Sequence, residues 1–393
     1  MKKLEIYVHI PFCVQKCAYC DFLSGVSTRE EREAYVEALK RECESYQEEV
    51  RDYEVQSIFF GGGTPSVLHP EQIKGILDVI SENFCMADDV EITMEMNPGV
   101  VDRTRMLQYK KAGIKRLSIG LQSADDKELK LLGRIHTWKQ FLVTFQAARD
   151  AGFYNINVDL MSAIPGQTLE SWKDTLKEVV RLSPEHISAY SLIIEEGTKF
   201  GELYGDGQPV DGYPPLPDED TERSMYEETE MFLKRYGYSR YEISNYAKEG
   251  YECRHNIGYW ERAPYIGMGV GASSLFEEER FTNLSDRKRY VELWMEYPQM
   301  TSKQKKKMQR AEIHKVTVRE AQEEFFFLGL RMMQGVSRKE FHRQFGIWPE
   351  EIYGKQTERL TEEGLLEKQE DRIRLTKRGI DLSNYAMAQF LQD

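Results

Sequence analysis

The chain has 393 residues, of which 40% are hydrophobic and 30% are charged. This mixture is typical of globular proteins and excludes a wholly disordered chain. The mean hydropathy is −0.59, and no run of roughly 18 apolar residues occurs, so no transmembrane helix is predicted. Lys and Arg number 53 against 66 Asp and Glu, and the resulting net charge of −13 disfavours nucleic acid as a partner.

The amino-terminal residues show neither the apolar core nor the cleavage motif of a signal peptide, so we expect a cytoplasmic protein. Three of the six cysteines, Cys13, Cys17 and Cys20, fall close together. In a reducing compartment, such clustering indicates metal binding or chemistry rather than disulfides. The basic run at 303–307 is interpreted as a solvated helix face or loop.

Apolar, β-branched segments alternate with amphipathic segments through the first two thirds of the chain. Six such units predict the α/β class, with a parallel sheet closed into an incomplete (β/α)6 barrel like part of a TIM barrel. The predicted strands are 6–10, 55–60, 90–96, 116–120, 156–161 and 186–194. The predicted helices are 29–50, 70–84, 102–112, 139–151 and 169–182.

The remainder of the chain has a different pattern. Residues 197–220 are rich in Gly and Pro and predict a long loop, followed by a helix at 218–236 and an aromatic, glycine-rich closing segment at 238–276. Residues 303–315 are predicted to form a charged connector. Helices predicted at 319–333, 338–345 and 357–365 precede a hairpin at 366–375, which is the order of a winged helix. We therefore predict a barrel domain at 1–300 and a small helical, winged-helix-like domain at 301–393.

The spacing C-x3-C-x2-C of Cys13, Cys17 and Cys20 directly follows the first predicted strand. Three thiolates on one short loop can each bind a different iron of a [4Fe–4S] cluster, which leaves the fourth iron open to a small molecule. A zinc site is the first alternative, although zinc usually takes four ligands in two separated pairs and no second pair is present. Chance clustering of buried cysteines is the second alternative.

This cysteine spacing resembles that of the radical S-adenosylmethionine (SAM) superfamily, in which the open iron binds SAM. Tyr19 holds the aromatic position before the third cysteine. The run Gly61-Gly62-Gly63-Thr64-Pro65 after the second strand matches the site for the SAM amino group, and in isolation it would predict only a tight turn. Glu95, a carboxylate within an apolar strand, fits the ribose hydroxyls of SAM, with an internal salt bridge as the alternative.

Residues 7–274, together with the C-terminal part, resemble the oxygen-independent coproporphyrinogen III oxidase-like radical SAM family, and within it the HemW-type heme chaperones. The resemblance implies that Cys13, Cys17 and Cys20 bind the [4Fe–4S] cluster. It also implies that SAM is surrounded by Tyr7, Tyr19, Gly62, Gly63, Thr64, Glu95, Gln122, Arg134 and Asp159. Ser162-Ala163 departs from the aromatic-glycine pair that is common in the family, which leaves the shape of that loop open.

Two features distinguish the chain from the coproporphyrinogen oxidases of the family. Only twelve residues precede Cys13, and Phe22 stands where those oxidases usually carry a further cysteine. We therefore expect a heme chaperone that delivers heme to apo-hemoproteins. The alternatives are a true oxidase that decarboxylates coproporphyrinogen III by radical chemistry, and a DNA-binding role of the winged-helix part.

The segment His255-Asn256-Ile-Gly-Tyr259-Trp260 matches H-N-x-x-Y-W, a signature of the heme chaperones. The resemblance implies that His255 binds heme iron, with Tyr259 and Trp260 as walls for the macrocycle. A structural role of His255 in a barrel-closing loop is the alternative, and Cys253 is a competing thiolate ligand. His9 and Phe12 are interpreted as the frame of the cysteine loop.

The glycines at 267–271 resemble a dinucleotide-binding pattern, but they lack the expected strand and acidic residue. We predict a tight turn there that closes the top of the barrel. A homodimer and peripheral association with the membrane are further hypotheses about the partners of the protein.

Overall fold

The computed structural model describes residues 1–207, 209–297 and 299–391. Its centre consists of six parallel strands at the predicted places. These are β1 (Lys2–Ile10), β2 (Tyr53–Gly62), β3 (Cys85–Met96), β4 (Arg116–Gln122), β5 (Ile156–Ser162) and β6 (His186–Ser191). The connecting helices are α1 (Arg29–Glu44), α2 (Pro70–Asn83), α3 (Arg103–Ala112), α4 (Asp126–Leu131), α5 (Trp138–Asp150) and α6 (Leu169–Arg181), with a short 3-10 helix at Pro65–Val67.

Helix α1 ends earlier than the predicted residue 50. Its start agrees with the prediction, because Thr28 and Glu31 form a capping box that pairs the free amides of the first turn. At its end, the Ser45 hydroxyl donates to the carbonyl of Glu42 at 2.6 Å. A side chain that bonds to its own helix competes with the main-chain pattern, and the following residues are turns.

The parallel strands belong to a twelve-stranded sheet with the order β12-β11-β10-β9-β1-β2-β3-β4-β5-β6-β8-β7. Among the described residues the two outer strands of this order do not pair with each other, so the barrel is incomplete. The added strands are β7 (Ser239–Glu242), β8 (Asn245–Ala247), β9 (Tyr265–Met268), β10 (Ser273–Phe276), β11 (Glu279–Asn283) and β12 (Arg310–Lys315). Their pairing extends the barrel wall on both sides.

The strands alternate between an apolar face and a polar face. On β1, the side chains of Leu4, Ile6 and Val8 are fully buried against the helices. The intervening side chains point into the barrel, because successive residues of a strand face opposite sides. One interior level is polar across all six strands: Glu5, Ser57, Glu91, Arg116, Asn157 and His186, each buried. A barrel interior of this kind requires partners for every polar group.

The predicted loop at 197–220 contains a short helix, α7 (Lys199–Tyr204), before α8 (Glu219–Arg235). Thr198 caps α7, since its hydroxyl accepts from the amide of Gly201 at 2.9 Å. This helix packs beside the cysteine loop, because the amide of Phe200 donates to the carbonyl of Ala18 at 2.9 Å. Gln208, which the prediction also covered, lies outside the described residues.

The charged connector expected at 303–315 is instead a helix and a strand, and the basic run at 303–307, expected to be a solvated helix face or loop, lies on that helix and is partly buried. It forms α11 (Ser302–Gln309) and β12, after α9 (Arg254–Trp260) and α10 (Arg287–Met295). Lys306 is 4% exposed, its ammonium lies 4.4 Å from the centre of the Tyr46 ring, and it pairs with Glu49 at 2.5 Å. The long alkyl stem allows a charged residue to cover apolar surface. The barrel sheet therefore continues beyond residue 300.

The C-terminal part has its own apolar cluster around Phe326, Phe341 and Phe390. The elements are α12 (Val318–Gly329), β13 (Val336–Ser337), α13 (Arg338–Phe345), α14 (Pro349–Glu362), β14 (Leu366–Gln369), β15 (Arg372–Leu375), α15 (Lys377–Asp381) and α16 (Ser383–Ala388). Strand β13 lies between α12 and α13, and the hairpin of β14 and β15 follows the three helices, in the sheet order β13-β15-β14. Three helices and then a hairpin is the predicted winged-helix order. The amide of Met333 bonds to the carbonyl of Tyr241 at 2.9 Å and joins this part to the barrel.

No helix in the part of the chain that the structure describes combines the length and the apolar character that a membrane span needs.

Glu42 is a buried carboxylate that joins α1 to the added strands. It accepts from the amide of Gly269 at 2.8 Å, from Asn283 Nδ2 at 3.0 Å and from the Tyr290 hydroxyl at 2.5 Å. Gln309 Nε2 is a fourth donor. Burial raises the pKa of Glu42, and the four hydrogen bonds act in the opposite direction. The carboxylate thus organises the wall beside β1.

We expect Glu42→Gln to lower the free energy of unfolding by about 2–3 kcal/mol, because its amide nitrogen would face at least one N–H donor in either orientation. Urea unfolding monitored by circular dichroism measures the loss. The matched control is Glu44→Gln, two residues along the same helix on its exposed face. Equal stability of the two variants would contradict the role assigned to Glu42.

Candidate functional site

The cysteine loop follows β1 at the carboxyl end of the barrel, and hydrogen bonds hold it at its base and its tip. At the base, the amide of Cys13 donates to the carbonyl of Gly25 at 2.9 Å, and the amide of Gly25 donates to the carbonyl of Pro11 at 3.1 Å. At the tip, the amide of Ala18 donates to the carbonyl of Leu132 at 3.0 Å. These hydrogen bonds fix the base and the tip of the loop on the barrel.

The glycine run at the end of β2 packs directly against this loop. The amide of Gly63 donates to the carbonyl of Ile10 at 2.8 Å, and the amide of Thr64 donates to that of Phe12 at 2.7 Å. A Cβ on Gly63 would lie 2.6 Å from the Phe12 oxygen, and one on Gly62 would lie 2.5 Å from His9 Cε1. Gly62 also has φ +108°, which favours glycine. The glycines are thus required by close packing, independently of any ligand.

The thiols of Cys13, Cys17 and Cys20 are free and half-buried. The pKa of Cys20 is raised to about 11, mainly by burial and to a smaller extent by the neighbouring Cys17 and Cys13. A bound metal centre would compensate the charge of such thiolates. Across 1–207, 209–297 and 299–391, no three His, Cys, Asp or Glu converge on a point for one metal ion. An iron–sulfur cube takes its thiolates on separate irons, so its ligands stand further apart.

Two side chains donate hydrogen bonds to the cysteine sulfurs. The Thr64 hydroxyl lies 3.5 Å from Cys13 Sγ, and Arg134 Nη1 lies 3.5 Å from Cys17 Sγ. Burial raises the pKa of Tyr19, whereas the neighbouring Arg134 opposes that rise. Of the residues predicted around SAM, Tyr19, Thr64 and Arg134 therefore lie together at the loop.

Glu95 faces the barrel mouth and has an incomplete set of partners. Its Oε2 accepts from the amide of Gly62 at 3.2 Å. Burial raises the pKa of Glu95 to about 8, and the charge of Asp159 adds to the rise. The carboxyl oxygens of Glu95 can therefore accept hydrogen bonds from further donors, such as the hydroxyls of a ribose.

Gln122 and Tyr190 form another pair at the mouth. Gln122 lies at a bulge of β4 and has φ +73°, an unfavourable backbone conformation for a residue with a side chain. Its Oε1 accepts from the Tyr190 hydroxyl at 3.0 Å. Tyr190 was not predicted as a site residue, although its alternation with His186 and Ser188 along β6 places it on the interior face.

The Tyr7 hydroxyl contacts His9, and His9 in turn contacts the cysteine loop. The Tyr7 hydroxyl bonds to His9 Nδ1 at 3.0 Å, and His9 Nε2 bonds to the carbonyl of Leu23 at 2.9 Å. His9 thereby holds the exit of the cysteine loop, in agreement with the frame role expected for it. Phe12, also expected to be part of the frame, is fully buried beneath the loop.

Asp159 lies deeper, and protein groups already occupy its oxygens. It accepts from Ser118 Oγ at 3.0 Å and from Asn157 Nδ2 at 2.7 Å. Burial raises its pKa, and these hydrogen bonds oppose the rise. Asn157 Oδ1 forms a further hydrogen bond with His186 Nδ1 at 2.6 Å. Asp159 therefore belongs to a network of buried hydrogen bonds inside the barrel.

The H-N-x-x-Y-W segment forms α9, which covers the floor of the barrel at the opposite end from the cysteine loop. Glu91 of β3 accepts from the amides of Arg254 at 3.3 Å and His255 at 3.4 Å. The thiol of Cys253 lies 3.5 Å from the same carboxylate, and burial raises the pKa of Cys253 to about 12. Cys253 is thus a buried partner of Glu91 and is not exposed as a ligand.

His255 offers no free nitrogen in this arrangement. Nδ1 bonds to Ser57 Oγ at 2.8 Å and Nε2 to the Tyr259 hydroxyl at 3.1 Å. The ring is 1% exposed and stacks on Phe59 with centroids 5.1 Å apart, while Trp260 packs against the guanidinium of Arg331. The expected heme contact by His255, Tyr259 and Trp260 therefore finds no open ligand position here, because the barrel interior uses the polar atoms of His255 and Tyr259.

The glycine-rich segment at 267–271 includes β9, which pairs in parallel with β1. Gly269 has φ +97°, and a Cβ there would lie 2.3 Å from the Tyr35 hydroxyl. The segment is a strand followed by a tight turn at the top of the barrel, as predicted, and its glycines serve close packing.

These features define the class of protein. A parallel barrel with three cysteines after its first strand, and a glycine run after its second, has the architecture of a radical SAM domain. The radical SAM superfamily model matches residues 7–179, and the HemN C-terminal domain model matches residues 316–382.

Relatives identify the family within this class. The heme chaperone HemW of Bacillus subtilis is 35% identical over 386 residues, which cover 98% of each chain. The heme chaperone HemW of Escherichia coli is 34% identical and covers 99% of this chain and 98% of its own length. The chain therefore belongs to the HemW family of heme chaperones.

The fold also matches a solved structure over nearly its whole length. Coproporphyrinogen III oxidase (HemN) from Escherichia coli, described as a radical SAM enzyme, has a TM-score of 0.82 and 23% sequence identity. The match covers 99% of this chain and 90% of the other chain. The predicted incomplete barrel with its C-terminal helical domain is thereby confirmed.

The buried position of His255 yields a test by pH. Burial lowers its pKa to about 3, whereas the unfolded chain has an ordinary imidazole. The stability that neutral His255 provides is therefore complete above about pH 6.5, and at pH 5 about 2 kcal/mol of it is lost. We expect His255→Gln to be less stable than the wild type at pH 7.5, and the difference to shrink at pH 5.

Chemical unfolding at the two pH values measures this difference. His314→Gln, which replaces an exposed histidine, is the control substitution. In heme titrations, folded His255→Gln is expected to retain the Soret band of the wild type. Loss of that band would instead identify His255 as a ligand.

Proposed function

We propose that this protein binds heme and delivers it to apo-hemoproteins, on a barrel that also holds a [4Fe–4S] cluster and SAM. The observation that carries the proposal is the similarity over 98% of the chain to a curated heme chaperone. The cysteine loop supports the cofactor part, because it places three free cysteines, Cys13, Cys17 and Cys20, after the carboxyl end of β1, where barrel proteins carry their sites.

The residues of the loop suit a cluster. The three cysteines provide the thiolates, and Thr64 and Arg134 provide hydrogen bonds to two of the sulfurs. When bound, the cluster supplies one-electron chemistry and an open iron for the amino and carboxylate groups of SAM. The residues of the chain hold, orient and shield these groups.

The mouth of the barrel is the proposed place of SAM. Glu95 has the capacity to accept ribose hydroxyls, and the packed backbone of Gly62 and Gly63 lies next to it. Gln122 and Tyr19 lie at the same mouth. We assign Tyr7 and Asp159 to the support of this site, since Tyr7 bonds to His9 and Asp159 bonds to Ser118.

The decisive experiment compares Cys17→Ala with Cys85→Ala, which removes an exposed cysteine at the start of β3. After anaerobic reconstitution, we expect Cys17→Ala to lose iron and sulfide and to transfer heme to an apo-hemoprotein at least about tenfold more slowly. Cys85→Ala should retain the cluster and the rate of the wild type.

Heme transfer at the wild-type rate by Cys17→Ala would show that the cluster has no part in delivery. An anaerobic assay with dithionite, SAM and coproporphyrinogen III is expected to give no protoporphyrinogen. Formation of that product would establish the oxidase in place of the chaperone.

We further propose that the protein forms a homodimer and associates peripherally with a membrane during delivery. Apolar side chains on and after the cysteine loop support such contacts: Val14, Phe22, Leu23 and Val26 are all exposed. Leu23 and Val26 border a cavity of about 610 Å³ that Arg287 and Val291 of α10 also line. Clustered apolar surface of this kind is typical of contact faces.

The double variant Phe22→Glu, Val26→Glu is expected to weaken both associations, because a buried carboxylate opposes contact with an apolar face. Light scattering gives the mass of the particle, and flotation with anionic vesicles gives membrane binding. Tyr154→Glu, at an exposed position before β5, is the control. A wild type that remains monomeric and stays free of vesicles would refute this proposal.

A further inference from the structure

A chain of hydrogen bonds joins two of the three cysteines through a residue that the cysteine motif does not include. Asn97 Nδ2 donates to Thr64 Oγ1 at 2.8 Å, and the Thr64 hydroxyl lies 3.5 Å from Cys13 Sγ. On the other side, Arg134 Nη2 donates to Asn97 Oδ1 at 2.7 Å, and Arg134 Nη1 lies 3.5 Å from Cys17 Sγ. The Asn97 side chain stands in the middle of this series of hydrogen bonds.

We infer that Asn97 is a positioning residue that directs both hydrogen bonds to the cluster sulfurs and thereby raises the reduction potential of the cluster. The inference rests on the proposed function, because it requires that Cys13 and Cys17 bind a cluster. Asn97 touches neither sulfur, so it acts only through Thr64 and Arg134.

The directions of these bonds follow from the groups themselves. A guanidinium has donors and no acceptor, so the oxygen of the Asn97 amide must face Arg134. The NH₂ of Asn97 then faces Thr64 and occupies a lone pair of its hydroxyl. Since a hydroxyl has one proton, that proton is free to point at Cys13. Asn97 therefore turns Thr64 into a donor to the sulfur.

The surroundings hold each member of the chain in place. Arg134 Nη2 also donates to the carbonyl of Gly120 at 2.5 Å, and a Cβ on Gly120 would lie 3.1 Å from that nitrogen. Thr64 is 1% exposed, and a hydrogen bond from its backbone amide to the carbonyl of Phe12 fixes it in place. Asn97 precedes Pro98, which restricts its backbone to extended conformations. Such restriction reduces the entropy lost in aligning the chain.

Hydrogen bonds to cluster sulfurs favour the reduced state, because reduction places more negative charge on the sulfurs. Loss of Asn97 would free the Thr64 proton to turn elsewhere and would release one anchor of Arg134. Both changes weaken the hydrogen bonds that stabilise negative charge on the sulfurs. The oxidised cluster is then favoured.

The test is an anaerobic redox titration of reconstituted protein without SAM, followed by electron paramagnetic resonance. We expect Asn97→Ala to shift the reduction equilibrium roughly tenfold toward the oxidised cluster, a potential lower by about 59 mV for one electron. Thr64→Val should shift it in the same direction, whereas Thr64→Ser, which keeps the hydroxyl, should match the wild type.

The double variant Asn97→Ala, Thr64→Val separates this mechanism from a general weakening of the site. If Asn97 directs the Thr64 proton, removal of the hydroxyl adds little once Asn97 is absent. An additive shift, or an unchanged potential in Asn97→Ala with full iron and sulfide, would overturn the inference. Should Asn97→Ala fail to fold, the comparison of the isosteric Thr64→Val with Thr64→Ser decides it, since equal potentials refute a directed hydroxyl.

Failure of the cofactor part of the proposed function, the binding of a cluster by Cys13, Cys17 and Cys20, gives a different result. In that case the wild type itself incorporates no iron and no sulfide, and no titration signal appears in any variant.

Discussion

The interior of the barrel is polar, and this single constraint determines what each end of the molecule can do. Glu5, Glu91 and Arg116 all lie inside a parallel sheet whose outer face is packed with apolar side chains. Buried charges without partners are costly, so the fold must supply hydrogen bonds to them. At the floor, α9 supplies them to Glu91. At the mouth, Glu95 accepts only one hydrogen bond from the described residues. At the floor, Glu5 Oε2 and Arg116 Nε also lack a hydrogen-bond partner within the described part of the chain, but α9 packs directly onto Glu5, since a Cβ on Gly258 would lie 1.9 Å from Glu5 Oε1. The mouth, beside the cysteine loop, is therefore the end that can accept a ligand.

The cysteine loop depends on the same sheet for its shape. Its two ends are tied to each other, and its base lies on the glycines at the end of β2. Its tip bonds to Leu132, just after α4, and to Phe200 in α7. Elements that are far apart in sequence thus meet at one short loop. A loop held in this way loses little conformational entropy when it binds a metal centre, which is the purpose of a rigid supporting structure.

Much of this fold could be predicted from the sequence, because strand periodicity and cysteine spacing are local signals. The burial of Lys305 and Lys306 could not, since a run of charges says nothing about the tryptophan and tyrosine that pack beneath it. Asn97 and Tyr190 were missed for a related reason: their roles depend on partners from other strands. The residues inside a barrel come together in one site only after the strands have paired into the curved sheet. No single segment of the sequence contains that information.

The H-N-x-x-Y-W segment shows how one set of side chains suits two different roles. An imidazole and a phenol can bind and enclose heme, but they are equally suited to a buried network, because both groups donate and accept hydrogen bonds. A heme ligand needs a ring nitrogen that is free of hydrogen bonds and open to the heme. Both ring nitrogens of His255 have hydrogen-bond partners, and the ring is buried. If heme binds His255, α9 must first leave Glu91 and Ser57, which would expose the charged floor to water. Heme binding at that residue would therefore be coupled to opening of the barrel floor, whereas binding elsewhere would leave the barrel closed.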